Sequence, residues 1–197
     1  MLQSNFENNF KMREAAMFSF GFRLALLACA VAFVPLFAKD YDIDKGSKVG
    51  FRITKYLIMS VEGVFKEFSG HLRLDENGAI TALNIQAVSD SVSTGKAKRD
   101  KHAKEKLLNS AQHPFIRLSF VSYKPKSPND KRTGILVAKL TLCGKSKKVR
   151  FKSTLDTSQA APKLSLEGSF NSKDFDIKGS LTSSNTVDLI LDTKWGE

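Results

Sequence analysis

From Lys48 to Trp195 apolar side chains return at every second position in one stretch after another, and only once does a longer period interrupt them. Alternation of period two marks a strand with one face buried and one in water, and a slip of one residue would turn every apolar side chain outward. The stretches are Lys48 to Thr54, Val61 to Leu74, Ile80 to Val88, Phe115 to Tyr123, Gly134 to Leu142, Lys147 to Leu155, Leu164 to Phe170 and Val187 to Trp195. Turn chemistry separates them: Glu76-Asn77-Gly78 supplies a positive φ, Pro125 to Asp130 reads as a polar loop, and Cys143-Gly144 and Gln159 to Pro162 close two more hairpins. Eight such strands predict an all-β fold, one antiparallel sheet curled into a sandwich or barrel.

Within Val61 to Leu74 the parity slips, from Val61, Gly63 and Phe65 to Phe68, Gly70, Leu72 and Leu74. That predicts a bulge near Lys66-Glu67 and a sharply bent strand, which helps a sheet close. Gly63, Gly70 and Gly168 fall on the apolar faces, where they thin the interior and leave room for something other than side chains. The break in rhythm lies between the third and fourth strands. Lys96 to Leu108 are good helix formers, with Ser93 and Thr94 placed to cap the start and Asn109 and Ser110 to stop the end. Lys96, Lys98, Arg99, Lys101, Lys104 and Lys106 outnumber Asp100 and Glu105, and Ala103 and Leu107 form a narrow apolar stripe, so the helix reads as a basic lid on an apolar surface.

Ahead of the strands, Lys11, Arg13 and Arg23 precede an apolar run from Leu24 to Phe37 and then Ala38. This order predicts a secretory signal, residues 1–38, removed after Ala38 to leave a periplasmic or secreted domain of residues 39–197. The whole chain carries a net charge of +11, which favours anionic surfaces. Cys29 leaves with the signal, so Cys143 has no partner for an intramolecular disulfide and reads as a small buried hydrophobe at a strand end.

The motif Ser91-Val-Ser93-Thr94-Gly95-Lys-Ala-Lys-Arg99-Asp100-Lys-His102, followed by His113-Pro114-Phe115-Ile116, resembles the signature of the YceI-like family. The resemblance extends from Tyr41-Asp-Ile-Asp44 through Gly63-Val-Phe65-x-x-Phe68-x-Gly70 and Leu140-Thr-Leu142-x-Gly144 to Lys173-Asp174-Phe175. It implies an eight-stranded, lipocalin-like barrel with one inserted helix, an elongated apolar pore holding one polyisoprenoid or other long-chain amphiphile, and a homodimer. On the residues alone, with 15 Phe, a barrel packed with its own side chains is the simpler reading.

Inward parity places Phe51, Ile53, Phe65, Phe68, Leu83, Ile85, Phe120, Leu140, Phe151, Leu166 and Leu189 around such a pore. Lys98, Arg99, Lys101 and His102 are candidates to meet a polar head at its mouth, while Arg99 and Asp100 would equally serve to fix the loop. His71, His102 and His113 lack ligand spacing and no nucleophile or phosphate-loop motif occurs, so neither a metal, a cofactor nor an enzyme is expected. Two functions remain: a lipid-binding module, and a basic protein with a packed core that binds an anionic envelope surface or polymer. The aromatics fall at core parity and could not stack on bases, which argues against nucleic acid.

Overall fold

The computed structural model describes residues 38–55, 59–178 and 183–196; the expected signal segment up to Phe37 lies outside them. Phe37–Glu197 is a compact unit that contains the whole hydrophobic core. Its strands are β1 (Lys39–Ile43), β2 (Lys48–Lys55), β3 (Met59–Phe65), β4 (Phe68–Leu74), β5 (Ile80–Val88), β6 (Val92–Ser93), β7 (Phe115–Ser127), β8 (Asp130–Leu142), β9 (Lys145–Asp156), β10 (Lys163–Asn171) and β11 (Ser183–Gly196). One short helix, α1 (Ala97–His102), continues through Leu107 in a wider turn in which Leu108 N–H donates to the Ala103 carbonyl.

These segments form a closed antiparallel barrel of eight strands. β3 and β4 are one ribbon bent at Lys66-Glu67, the bend that the parity slip predicts, and β5 and β6 are the ribbon paired to it. From there the order runs β7, β8, β9, β10, β11 and β2, and β2 returns to β3. The bend splays the lower part of the ribbon away from β2. The gap is filled by β1, which pairs with β4 over Lys39–Asp42 and with β11 at Trp195 and Gly196. β1 shows only Tyr41 and Ile43 as apolar positions, too few to display a period.

Two further expectations are corrected. Pro125 to Asp130 is mostly strand: β7 and β8 pair out to Ser127 and Asp130 across an irregularity beside Pro125, which has no N–H to give the ladder. Neither Ser93 nor Thr94 caps α1; Lys96 stands at that position without a side-chain bond, because the Thr94 hydroxyl is engaged elsewhere.

The two ends of the barrel differ. At the closed end, Trp195, Leu72, Leu83, Leu136, Leu155 and Leu164 are almost wholly buried. The Trp195 Nε1–H donates to Thr193 Oγ1 at 2.8 Å, and that hydroxyl donates to the Leu164 carbonyl at 2.8 Å. The buried polar atoms are thus satisfied and the interior is filled with side chains. The other end, where the β8–β9 turn lies, is covered by α1.

The three inward glycines do not leave the space expected of them. A Cβ on Gly63 would lie 2.4 Å from the Phe51 ring, and one on Gly168 would lie 2.7 Å from the Phe151 ring. Each phenylalanine is the direct cross-strand partner of its glycine. At Gly70 the Asn84 carbonyl and Ile85 occupy the corresponding space.

Candidate functional site

Beneath α1 the side chains stop short of filling the barrel, leaving an apolar cavity of about 180 Å³. Its wall takes Phe51 and Ile53 from β2, Val61 and Phe65 from β3, and Val92 from β6. Ile116, Leu140, Leu142, Phe170, Val187 and Leu189 line the far side, Ala103, Leu107 and Leu108 form the roof, and Ile177 closes one flank. Thr94, Arg99, His102, Ser172 and Ser184 are the polar residues on its boundary. Phe51 and Phe65 are tilted against each other with centroids 5.9 Å apart, and the Phe170 ring meets Phe175 edge-on at 5.1 Å.

The signature residues build the rim. Ser91 Oγ donates to the Val88 carbonyl at 2.8 Å and accepts from Glu67 N–H at 3.1 Å, clamping the short turn Ser89–Ser91 after β5 to the bend between β3 and β4. Gly95 adopts φ 75°, a conformation that disfavours any side chain. Arg99 then folds back: its Nε–H donates to Thr94 Oγ1 at 2.7 Å and its Nη2 to the Thr94 carbonyl at 2.6 Å. The Thr94 hydroxyl donates in turn to Asp100 Oδ1, which also accepts the Thr94 N–H at 2.7 Å. That hydroxyl bond, helped by Thr94 N–H and the Arg99 charge, holds the Asp100 carboxyl below its ordinary value. Arg99 and Asp100 are therefore knotted through Thr94, the loop-fixing role considered for them, and Arg99 also borders the cavity.

The expected pore residues divide into two groups. Phe51, Ile53, Phe65, Leu140 and Leu189 border the cavity. Leu83, Ile85, Phe151 and Leu166 are buried in the packed core, and Phe68 and Phe120 lie half-buried against it. Among the described residues the cavity thus lies at the helix end, and core side chains fill the barrel below it where an elongated pore was expected. Of the head-group candidates, Arg99 and His102 lie on the cavity boundary, whereas Lys98 and Lys101 point to solvent and Lys101 pairs with Glu105 at 3.9 Å.

Val187, Leu142 and Phe170 shared the same apolar parity as the residues that were expected, so period alone could have included them. Ser172 begins a single 3-10 turn, Ser172–Phe175, and Ile177 follows it, where no strand period exists to read. Among the buried hydroxyls, Ser89 donates to the His113 carbonyl at 2.6 Å and Ser153 to the Gly134 carbonyl at 3.1 Å, but Ser172 Oγ has no partner among the described residues. Cys143 is half-buried at the β8–β9 turn, its Sγ 3.5 Å from the carbonyls of Leu107 and Leu108, and burial pushes its thiol up. Lys145 beside it is paired with Asp176 and does not activate the thiol.

Comparison with known proteins agrees with this architecture. The YceI-like domain profile matches residues 41–195. Protein YceI from Escherichia coli O157:H7 is 34% identical over 166 residues, covering 78% of this chain and 85% of that relative. Among solved structures, BcnA of Burkholderia cenocepacia superposes with a TM-score of 0.70 at 18% identity, covering 77% of this chain and 98% of its own. A polyisoprenoid binding domain from Saccharophagus degradans superposes with a TM-score of 0.60 at 14% identity, covering 79% of this chain and 97% of its own. The chain belongs to the YceI-like family.

Proposed function

We propose that this protein is a non-catalytic carrier that holds one long-chain amphiphile, a polyisoprenoid or a fatty acid or amide, with its tail in the cavity beneath α1 and its head beside Arg99 and His102. The observation that carries this reading is the cavity itself. Protein interiors are packed as closely as organic crystals, and about 180 Å³ of apolar space is far more than ordinary packing leaves. It is also below the roughly 300–1,000 Å³ of drug-sized sites, which fits a slender chain better than a ring system. The description of the same fold in Saccharophagus degradans as polyisoprenoid-binding supports the ligand class.

The tail supplies most of the affinity. Burial stabilises by about 0.8 kcal/mol per methylene, whereas a basic side chain near an anionic group contributes about 1 kcal/mol and is screened by salt. Lys98 and Lys101 therefore add a smaller, salt-dependent part. We further take the protein to act outside the cytoplasm after cleavage near Ala38 and to work as a homodimer. Amino-terminal sequencing of exported protein that retains Leu24 to Phe37, or light scattering that gives one chain at micromolar concentration, would remove those two parts.

Native mass spectrometry and organic extraction of purified residues 39–197 test the ligand, and Ala103→Trp tests the site. The indole would occupy the roof of the cavity, so affinity for a fluorescent long-chain probe should fall at least about tenfold, near the loss of two buried methylenes, while circular dichroism stays that of the parent. An Ala103→Trp protein that is folded and binds the probe like the parent would return the reading to a basic, surface-binding protein with a packed core.

A further inference from the structure

We propose that the helix end of the barrel is a docking surface for an anionic lipid bilayer, placing the cavity mouth against the membrane. That a lipid passes through the mouth there rests on the reading above; the docking is argued from the surface alone. Ion pairs occur at both ends of the barrel, Asp40 with Arg73 at 2.7 Å and Asp42 with His71 at the closed end, and Lys101 with Glu105, Lys104 with Asp90 and Lys145 with Asp176 at the helix end. Exposed lysines without an ion pair among the described residues also occur at both, Lys45, Lys126 and Lys194 at the closed end, but those of the helix end are gathered around the cavity mouth. At the helix end, Lys96, Lys98 and Lys106 and, at the start of β9, Lys147 and Lys148 are exposed, and none forms an ion pair among the described residues. The Cys143 contacts to the Leu107 and Leu108 carbonyls hold the β8–β9 turn against the end of the helix, so these cations share one rim.

Of the three exposed large apolar side chains among the described residues, two lie at that same end, and the third, Val121, lies part-way along β7. Met59, which begins β3, is 59% exposed, and Phe115, which begins β7, is 36% exposed. A basic rim carrying isolated apolar side chains is the composition that settles at the boundary between headgroups and acyl chains. A nucleic acid or other polyanion would use the cations but not Met59, and Phe115 carries the Arg117 guanidinium 5.3 Å over its ring, so it offers little to stacked bases.

The test is flotation of residues 39–197, the unit that contains the whole core, with vesicles of phosphatidylcholine alone or mixed with phosphatidylglycerol. The parent should float only with the anionic vesicles and be released by salt. Lys96→Glu/Lys106→Glu/Lys148→Glu should lose tenfold or more, since each lysine near an anionic bilayer is worth about fivefold in affinity. Lys45→Glu/Lys126→Glu/Lys194→Glu makes the same change in net charge away from the helix end and should stay within about twofold of the parent. Met59→Ser should weaken the binding that survives at moderate salt.

Equal loss in both triple variants would show that net charge alone drives binding and would overturn the proposal, as would a parent that floats with neither vesicle or prefers a soluble polyanion to the bilayer. A fluorescent long-chain probe separates the two readings. If flotation follows the helix-end lysines while the probe never binds, docking stands and the carrier reading fails; if the probe binds and nothing floats, the reverse holds.

Discussion

Glycine at position 63 is fixed by an aromatic ring. Phe51 lies across the strand with its ring where a Cβ would be, and the same ring forms part of the cavity wall. Gly63→Ala should therefore push Phe51 into the cavity, destabilising the fold by about 1–3 kcal/mol and weakening probe binding together. Gly168→Ala meets the Arg150 carbonyl at 2.7 Å as well as the Phe151 ring. Backbone cannot turn aside as a ring can, so urea denaturation should show a larger loss for Gly168→Ala than for Gly63→Ala. Among the hydroxyls the sign of the effect separates two serines. Ser172→Ala removes a buried group with no partner among the described residues and should leave stability equal or raise it by about 1 kcal/mol, whereas Ser89→Ala strips the His113 carbonyl of its donor and should lower it by about 1–3 kcal/mol. None of these pairings is visible in the sequence, because each depends on which strands become neighbours.

Elements built on period were legible, and elements built on single hydrogen bonds were not. The eight main strands and the bend at Lys66-Glu67 follow from parity, and β5 runs Ile80–Val88 as read. The helix was legible as a helix but its capping was not: Thr94 has the right chemistry for a cap and the wrong neighbour, since Asp100 and Arg99 claim it first. That knot carries a pH dependence. The Asp100 carboxyl is held below its ordinary value chiefly by the Thr94 hydroxyl bond, so its contribution is fully present above the unfolded value of about 3.9 and is lost as the pH falls through the lower folded value. Acidification should loosen Thr94 to Leu107 before the strands yield. Asp100→Asn should do so at neutral pH, seen as faster amide exchange across α1 with the β8 and β9 amides unchanged. Protection of α1 that is equal in parent and Asp100→Asn would remove Asp100 from the account of the rim.

At the scale of the whole molecule the candidate site was half legible. Inward parity identified a shared interior but could not say which level of it stays open, because Phe51 and Phe151 present the same pattern and only one of them borders the space. Level along the axis depends on the stagger between strands, and stagger leaves no mark on the order of residues. The packed half gives the barrel its stability: Trp195→Ala deletes a fully buried ring and strands the Thr193 bond, and should lower stability by about 3–5 kcal/mol in urea. Its effect on probe affinity should be slight wherever the protein remains folded, since Trp195 does not border the cavity.

The seam adds something about how the molecule comes into being. β1 and β2, made before the other described strands, each pair along one edge with β11, made after them. An emerging chain cannot complete its cylinder until β11 has been made, so β2 keeps one edge bare while the strands between them are synthesised, open to any foreign strand it meets. Closure over so long a span makes for slow folding. Such a chain offers a chaperone or a translocase a long interval in which it is still a thread, and a premature stop before Ser183 would produce not a smaller barrel but an open sheet prone to aggregate.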